Sequence, residues 1–223
     1  RQALEDQAAL AWLEEQDSIR DSLTRELNHR VKNALANVLS IIALTRRRTT
    51  DLDQFADGLE GRVRAISATH DLLTRSEWGT TALRDVVEAE VALYLNDEDR
   101  HILIDGPDVQ LAPGDALSLG LAVHELTTNA ARHGALSRAG GDVAIHWELV
   151  RPDLVRVAWQ ETGGPDAKPA GRHGFGLQLI ERIVAHELGQ PVEIDFGKDG
   201  MTCVMLVPVR LPSDFALRAR HRA

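Results

Sequence analysis

From Arg1 to Asp57 the chain contains neither glycine nor proline. A stretch of that length without a helix breaker can hardly be anything but helical. Within it, Leu23, Leu27, Val31, Ala34, Val38, Ile41 and Thr45 recur in steps of four and three. That spacing lays a seam along one helix face. His29, in Glu26-Leu27-Asn28-His29-Arg30-Val31-Lys32-Asn33, lies two residues from both Leu27 and Val31. At about 100° per residue it points away from the seam, toward whatever arrives from solvent. Taken alone, an outward histidine is usually a solubilising polar residue.

The polar stretch 1–21 reads as a leading helix that runs into the His29 helix without a break. The His29 helix ends near Arg46-Arg47-Arg48-Thr49-Thr50, where basic residues suit a helix C-terminus. Asp51 or Asp53 can cap a second helix, with a stripe of Leu52, Phe55, Leu59, Val63, Ile66, His70 and Leu73. Two seamed helices joined by a short polar link predict an antiparallel hairpin. The position of His70 on the stripe predicts a packed or boundary histidine.

After Trp78-Gly79-Thr80-Thr81 the pattern becomes mixed. A helix is expected over 83–95, with Leu83, Val86, Val87, Val91 and Tyr94 inward. Short strands follow around Asp105-Gly106-Pro107-Asp108. A helix over about 116–135 ends near Gly134. Strands at 142–150 and 154–161 pair across Arg151-Pro152-Asp153, and a Gly- and Pro-rich loop covers 162–174. A helix over 177–188 stops at Gly189. A last hairpin pairs 192–196 with 201–207. This order predicts an α+β fold: an N-terminal antiparallel helical hairpin, then an α/β sandwich with a mainly antiparallel sheet covered on one face by helices.

Composition narrows the partners. Acidic residues number 34 against 25 basic, a formal charge of −9, which argues against a general nucleic-acid binder. The single Cys203 rules out an internal disulfide framework and a thiol-rich zinc site. No apolar run is long enough to span a bilayer and no signal peptide is visible, so a cytoplasmic location is expected. A first residue of Arg rather than Met points to a piece of a longer protein, with a sensor expected upstream.

Three stretches carry chemistry. In His124-Glu125-Leu126-Thr127-Thr128-Asn129-Ala130-Ala131-Arg132-His133-Gly134, residues Glu125, Asn129 and Arg132 share a face. An acid, a carboxamide and a cation so placed can hold hydrated Mg²⁺ and the phosphates it bridges. In Trp159-Gln160-Glu161-Thr162-Gly163-Gly164-Pro165, strand alternation puts Trp159 and Glu161 on one side. A carboxylate there, beside paired glycines, can accept a hydrogen bond from an exocyclic base amine. In Gly171-Arg172-His173-Gly174-Phe175-Gly176-Leu177, glycines open a helix and leave amides free for phosphate. Alone, each admits a structural reading: a solvated polar face, a Gly-Gly-Pro turn, a Gly-rich helix start.

Their order is more specific than any one of them. His-Arg-Val-Lys-Asn at His29, then His-Glu-Leu-x-x-Asn-Ala, Trp-x-Glu-x-Gly-Gly-Pro and Gly-Phe-Gly-x-x-Leu-Ile resembles the sensor histidine kinases of the HWE and closely related HisKA_2 type, over roughly residues 22–208. The family's naming residues look like His124, Trp159 and Glu161. The resemblance implies a leading signalling helix at 1–21, a dimerisation and histidine phosphotransfer hairpin at 22–78, a Bergerat-type (GHKL) ATP-binding domain at 79–210 and a tail at 211–223. It implies autophosphorylation with Mg-ATP and transfer to an Asp of a response regulator receiver domain. A homodimer through the hairpin is the family default, although the leading helix or the ATP domain can also cover the seam.

By position, the resemblance makes His29 the phospho-acceptor and Asn129 the Mg²⁺ ligand. Glu125 would orient metal or water, and Arg132 would face phosphate. Glu161 stands where most histidine kinases have an Asp that reads the adenine amine. Gly163, Gly174 and Gly176 would be nucleotide-loop glycines, and His133 would lie near the adenine. Two departures stand out. Commoner histidine kinases have an acid directly after the reactive histidine, where this chain has Arg30, so Glu26 is the candidate helper acid. The lid over 165–173 is short, which leaves its closure to Phe175 and Arg172. Two other readings stay open: a GHKL-type ATPase or clamp in which Glu125 activates water, and a non-catalytic scaffold that binds a response regulator.

Overall fold

The computed structural model describes residues 42, 52–76, 79–95, 100–165, 175–183, 187–198 and 200–209. The chain divides into two compact units, residues 1–55 and 56–223. The leading helix and the His29 helix, Ile42 apart, lie outside the described residues.

The 56–223 unit is built on a five-stranded sheet in the order β2-β4-β5-β7-β6. Its strands are β2 (Arg100–Asp105), β4 (Gly141–Arg151), β5 (Leu154–Thr162), β6 (Val192–Phe196) and β7 (Met201–Pro208). β2 runs parallel to β4, and the other neighbours are antiparallel. The expected α+β sandwich with a mainly antiparallel sheet is therefore present.

Alternation explains which face is covered. Val143, Ile145 and Trp147 on β4, Val155, Val157 and Trp159 on β5, and Cys203, Met205 and Val207 on β7 are all buried. The residues between them point to the other face, where Leu103 is 66% exposed. On the covered face lie α2 (Leu83–Val91), α3 (Pro113–His133) and α4 (Phe175–Ile183). α2 presents Leu83, Val86, Val87 and Val91, all fully buried, as its periodicity predicts, and Tyr94 packs partly buried against them. Each such side chain stabilises the fold by about 1.5–3 kcal/mol. α3 begins with Pro113 at its first turn, where the missing N–H is harmless, and Gly134 closes it by donating to the carbonyls of Ala130 and Asn129.

One expectation changes. The strands on either side of Gly106 do not pair with each other. β2 joins β4, while β3 (Gln110–Leu111) pairs antiparallel with β1 (Thr81–Ala82). Side chains from elsewhere hold the connection. Arg84 donates to the carbonyls of Ile104 and Gly106, the Trp147 indole donates to the Pro107 carbonyl at 2.8 Å, and Arg84 stacks over the Trp147 ring.

The second predicted helix is α1 (Leu52–Arg75). Its buried face follows the apolar stripe only in part. Arg62, Ala65, Thr69 and Leu73 are buried, whereas Val63 is 42% exposed and His70 is exposed rather than packed. Leu73 belongs to the main core. Thr69 fits against α3 where Gly120 has no side chain. Among the described residues no helix is long and apolar enough to cross a membrane.

Candidate functional site

The polar face of α3 carries the site. Glu125 and Asn129 stand one turn apart, and α4 starts beside them. A Cβ on Gly176 would lie 2.8 Å from Glu125 Oε2, 2.9 Å from Asn129 Nδ2 and 3.2 Å from Asn129 Oδ1. A side chain at 176 would therefore collide with both groups, and glycine lets the α4 backbone approach them closely. Two of the three predicted stretches thus meet: the acid and the carboxamide of α3, and a glycine of the Gly-Phe-Gly run.

Glu125 is buried and already paired. Its Oε1 accepts from Arg62 Nε at 2.7 Å and its Oε2 from Arg62 Nη2 at 2.8 Å. This two-point contact suits the planar guanidinium. Nothing in the apolar stripe of α1 announces Arg62. The signal that could have found it is a second row, Gly58, Arg62, Ala65, Thr69 and Leu73, in which small residues flank one arginine. A partner was missed at His124 as well. Its Nδ1 lies 3.2 Å from Glu90 Oε2 on α2, and Glu90 is itself buried.

The third stretch lies at the C-terminal end of α3. Trp159 and Glu161 share the inner face of β5, as alternation predicts, and both are buried. Glu161 Oε2 accepts from the backbone N–H of Ala135 at 2.8 Å, and Oε1 accepts from Trp159 Nε1 at 3.1 Å. Ala135 opens the 3₁₀ turn after α3, so Glu161 ties the end of β5 to the end of the asparagine helix. Burial raises the Glu161 carboxyl above the usual range, against the lowering effect of these two hydrogen bonds. Gly163 follows with φ +73°, a left-handed conformation that a side chain would strain. It also passes close to the Gly140 carbonyl.

Arg132 and His133 are exposed in the last turn of α3. Phe175 opens α4. His29, Glu26, Arg172 and Gly174 lie outside the described residues.

The donor set suits a hard cation held jointly with an anionic ligand. Asn129 offers a neutral oxygen of the kind such a cation takes, whereas both oxygens of the Glu125 carboxylate are held by Arg62. At the start of α4 the Gly176 backbone packs closely against both groups.

Comparison with known proteins bears on the family and the fold. The HWE histidine kinase family profile matches residues 26–108. The blue-light-activated histidine kinase of Brucella anthropi is 34% identical over 190 residues, 84% of this chain and 39% of that protein. Blue-light-activated histidine kinase 1 of Erythrobacter litoralis is 35% identical over 195 residues, 85% of this chain and 54% of that protein. The chain therefore spans about half the length, or less, of these curated relatives. The solved structure of the Erythrobacter litoralis EL346 blue-light activated histidine kinase shares the fold, with TM-score 0.63 and 22% identity over 82% of this chain and 58% of that one.

Proposed function

Since this chain belongs to the HWE histidine kinase family, we propose that it is a two-component kinase core that uses Mg-ATP to phosphorylate itself on His29. The observation that carries the proposal is the convergence of Glu125, Asn129 and Gly176 at one point. We assign residues 22–78 to a phosphotransfer hairpin, 79–210 to the ATP-binding part, 1–21 to a leading signalling helix and 211–223 to a tail.

In this reading Asn129 would hold Mg²⁺, which would supply positive charge to the nucleotide phosphates. Arg132, exposed at the end of α3, faces the phosphates and offsets their charge. Glu161 and Gly163 line the base end. Both Glu161 oxygens already hold one N–H each, so a base amine would take a remaining lone pair. Gly174, Phe175 and Arg172 belong to the loop that closes over the nucleotide, and His133 borders the base. The neutral imidazole of His29 attacks the γ-phosphorus, the bond to the ADP oxygen breaks, and the imidazole proton leaves to a base, with Glu26 the candidate. The N–P bond formed is high in energy and passes its phosphoryl group to an aspartate of a receiver domain. A homodimer through the hairpin completes the assembly.

The test is labelling with γ-labelled ATP, followed by acid and base treatment. A label lost in acid and kept in base is expected on wild type and absent from His29→Ala, with nucleotide binding retained by the variant. Equal labelling of the variant overturns the assignment. Free phosphate without labelled protein would make the chain an ATPase, and neither product would make it a scaffold.

A further inference from the structure

The carboxylate at the centre of the site is already in use, and its user comes from α1. Arg62 engages both oxygens of Glu125, and the two side chains are only 8% and 4% exposed. The oxygen held by Nη2 is the same Oε2 that borders Gly176. The carboxylate thus stands between the guanidinium of α1 and the Gly176 backbone at the start of α4. One residue earlier, a Cβ on Gly61 would lie 3.1 Å from His124 Nε2. The other nitrogen of that ring faces Glu90. Two consecutive α1 residues, Gly61 and Arg62, are therefore seated on two consecutive α3 residues, His124 and Glu125.

A guanidinium paired at two points satisfies a carboxylate both in charge and in hydrogen bonding. A carboxylate held in this way is a weak base and a weak ligand for a cation. Withdrawing Arg62 leaves a buried negative charge that calls for another cation, and the nucleotide's divalent metal is the cation at hand. We propose that α1 is a latch on the nucleotide site: Arg62 occupies Glu125 while α1 is docked, and Glu125 serves the metal-nucleotide complex only when α1 lifts. This rests on the reading of Glu125 and Asn129 as the Mg-ATP site. Docking of α1 and binding of Mg-nucleotide are then antagonistic, and the antagonism is reciprocal. A signal that moves α1 would set the affinity for Mg-nucleotide through one buried ion pair.

The experiment uses the 223-residue chain with a non-hydrolysable ATP analogue. Hydrogen exchange over residues 58–73 is followed alone, with the analogue, and with the analogue plus Mg²⁺. Mg²⁺ is titrated calorimetrically at fixed analogue for wild type, Arg62→Gln and Gly61→Leu. Gly61→Leu drives a side chain into the His124 ring and lifts α1 while leaving the ion-pair partners intact, so it decides the matter if Arg62→Gln fails to fold. Expected are faster α1 exchange only when analogue and Mg²⁺ are both present, and about tenfold less Mg²⁺ for half-saturation in the variants. Greater α1 protection on binding, or an unchanged or raised Mg²⁺ requirement in the variants, overturns the latch. A chain that binds the analogue and labels His29 while α1 exchange stays constant removes the latch alone. A wild type that binds no analogue removes the nucleotide-site reading and the latch with it.

Discussion

Trp159 donates its indole N–H to the carboxylate of Glu161, two residues further along the same strand, at 3.1 Å. The other carboxylate oxygen takes the Ala135 amide at 2.8 Å. Glu161 therefore works as a tie between β5 and the end of α3 as well as a group facing the proposed base end of the site.

Glu161→Gln tests the tie. Glutamine offers one oxygen, so one of the two N–H donors meets an amide N–H₂ instead. The substitution should cost about 1–3 kcal/mol in urea unfolding. The gap should also depend on pH. Burial raises the folded pKa of Glu161, so ionisation is penalised in the fold. That penalty is absent below the unfolded value and complete above the raised folded value. Wild type should therefore lose stability relative to the glutamine variant as the pH rises above about 4. A gap that widens with pH contradicts the shift.

Asn129→Ala and Gly176→Ala test the meeting point. The first removes the neutral oxygen. The second puts a methyl group 2.8 Å from Glu125 Oε2 and 2.9 Å from Asn129 Nδ2. Each should weaken Mg-nucleotide binding by about tenfold or more, which is about 1.4 kcal/mol. Calorimetry at saturating Mg²⁺ checks this, and unchanged affinity for both would move the nucleotide elsewhere.

Gly134→Ala should destabilise the fold by about 1–3 kcal/mol. A Cβ there overlaps the Glu161 carboxylate and lies 2.9 Å from Ala130 Cα, a backbone atom with little room to move. Thermal unfolding reads the loss. A melting temperature equal to wild type would mean that the end of α3 is looser than the structure shows.

Cys203 should be chemically silent in the native protein. Its side chain is fully buried on β7, and burial pushes the thiol up to about 12. A chromogenic disulfide reagent at neutral pH should react only as the protein unfolds, at a rate that follows the unfolding transition. Fast labelling of folded protein would contradict the packing of the β5–β7 pair.

The elements were legible where one local pattern decides them. Leu83, Val86, Val87 and Val91 show helical spacing, and all four are buried. Trp159 and Glu161 show strand spacing, and they share a face. Pro113 and Gly134 mark the ends of α3. What escaped were choices between competing partners. The strands on either side of Gly106 look like a hairpin in sequence, yet Arg84 and Trp147 hold the connection between them, and β2 pairs with β4 instead. The buried face of α1 escaped for the same reason. A row of Gly, Arg, Ala and Thr reads as surface until an acid on another helix is found for the arginine.

Among the described residues the sequence by itself determined the helices and strands and the inner face of β5, and it carries the order of motifs that marks a histidine kinase core, because periodicity and capping act over a few residues. Only the tertiary structure decided that Arg62 and Glu125 meet. The two are 63 positions apart, and a buried ion pair forms only where the fold removes both partners from water together and leaves each as the other's nearest counter-charge.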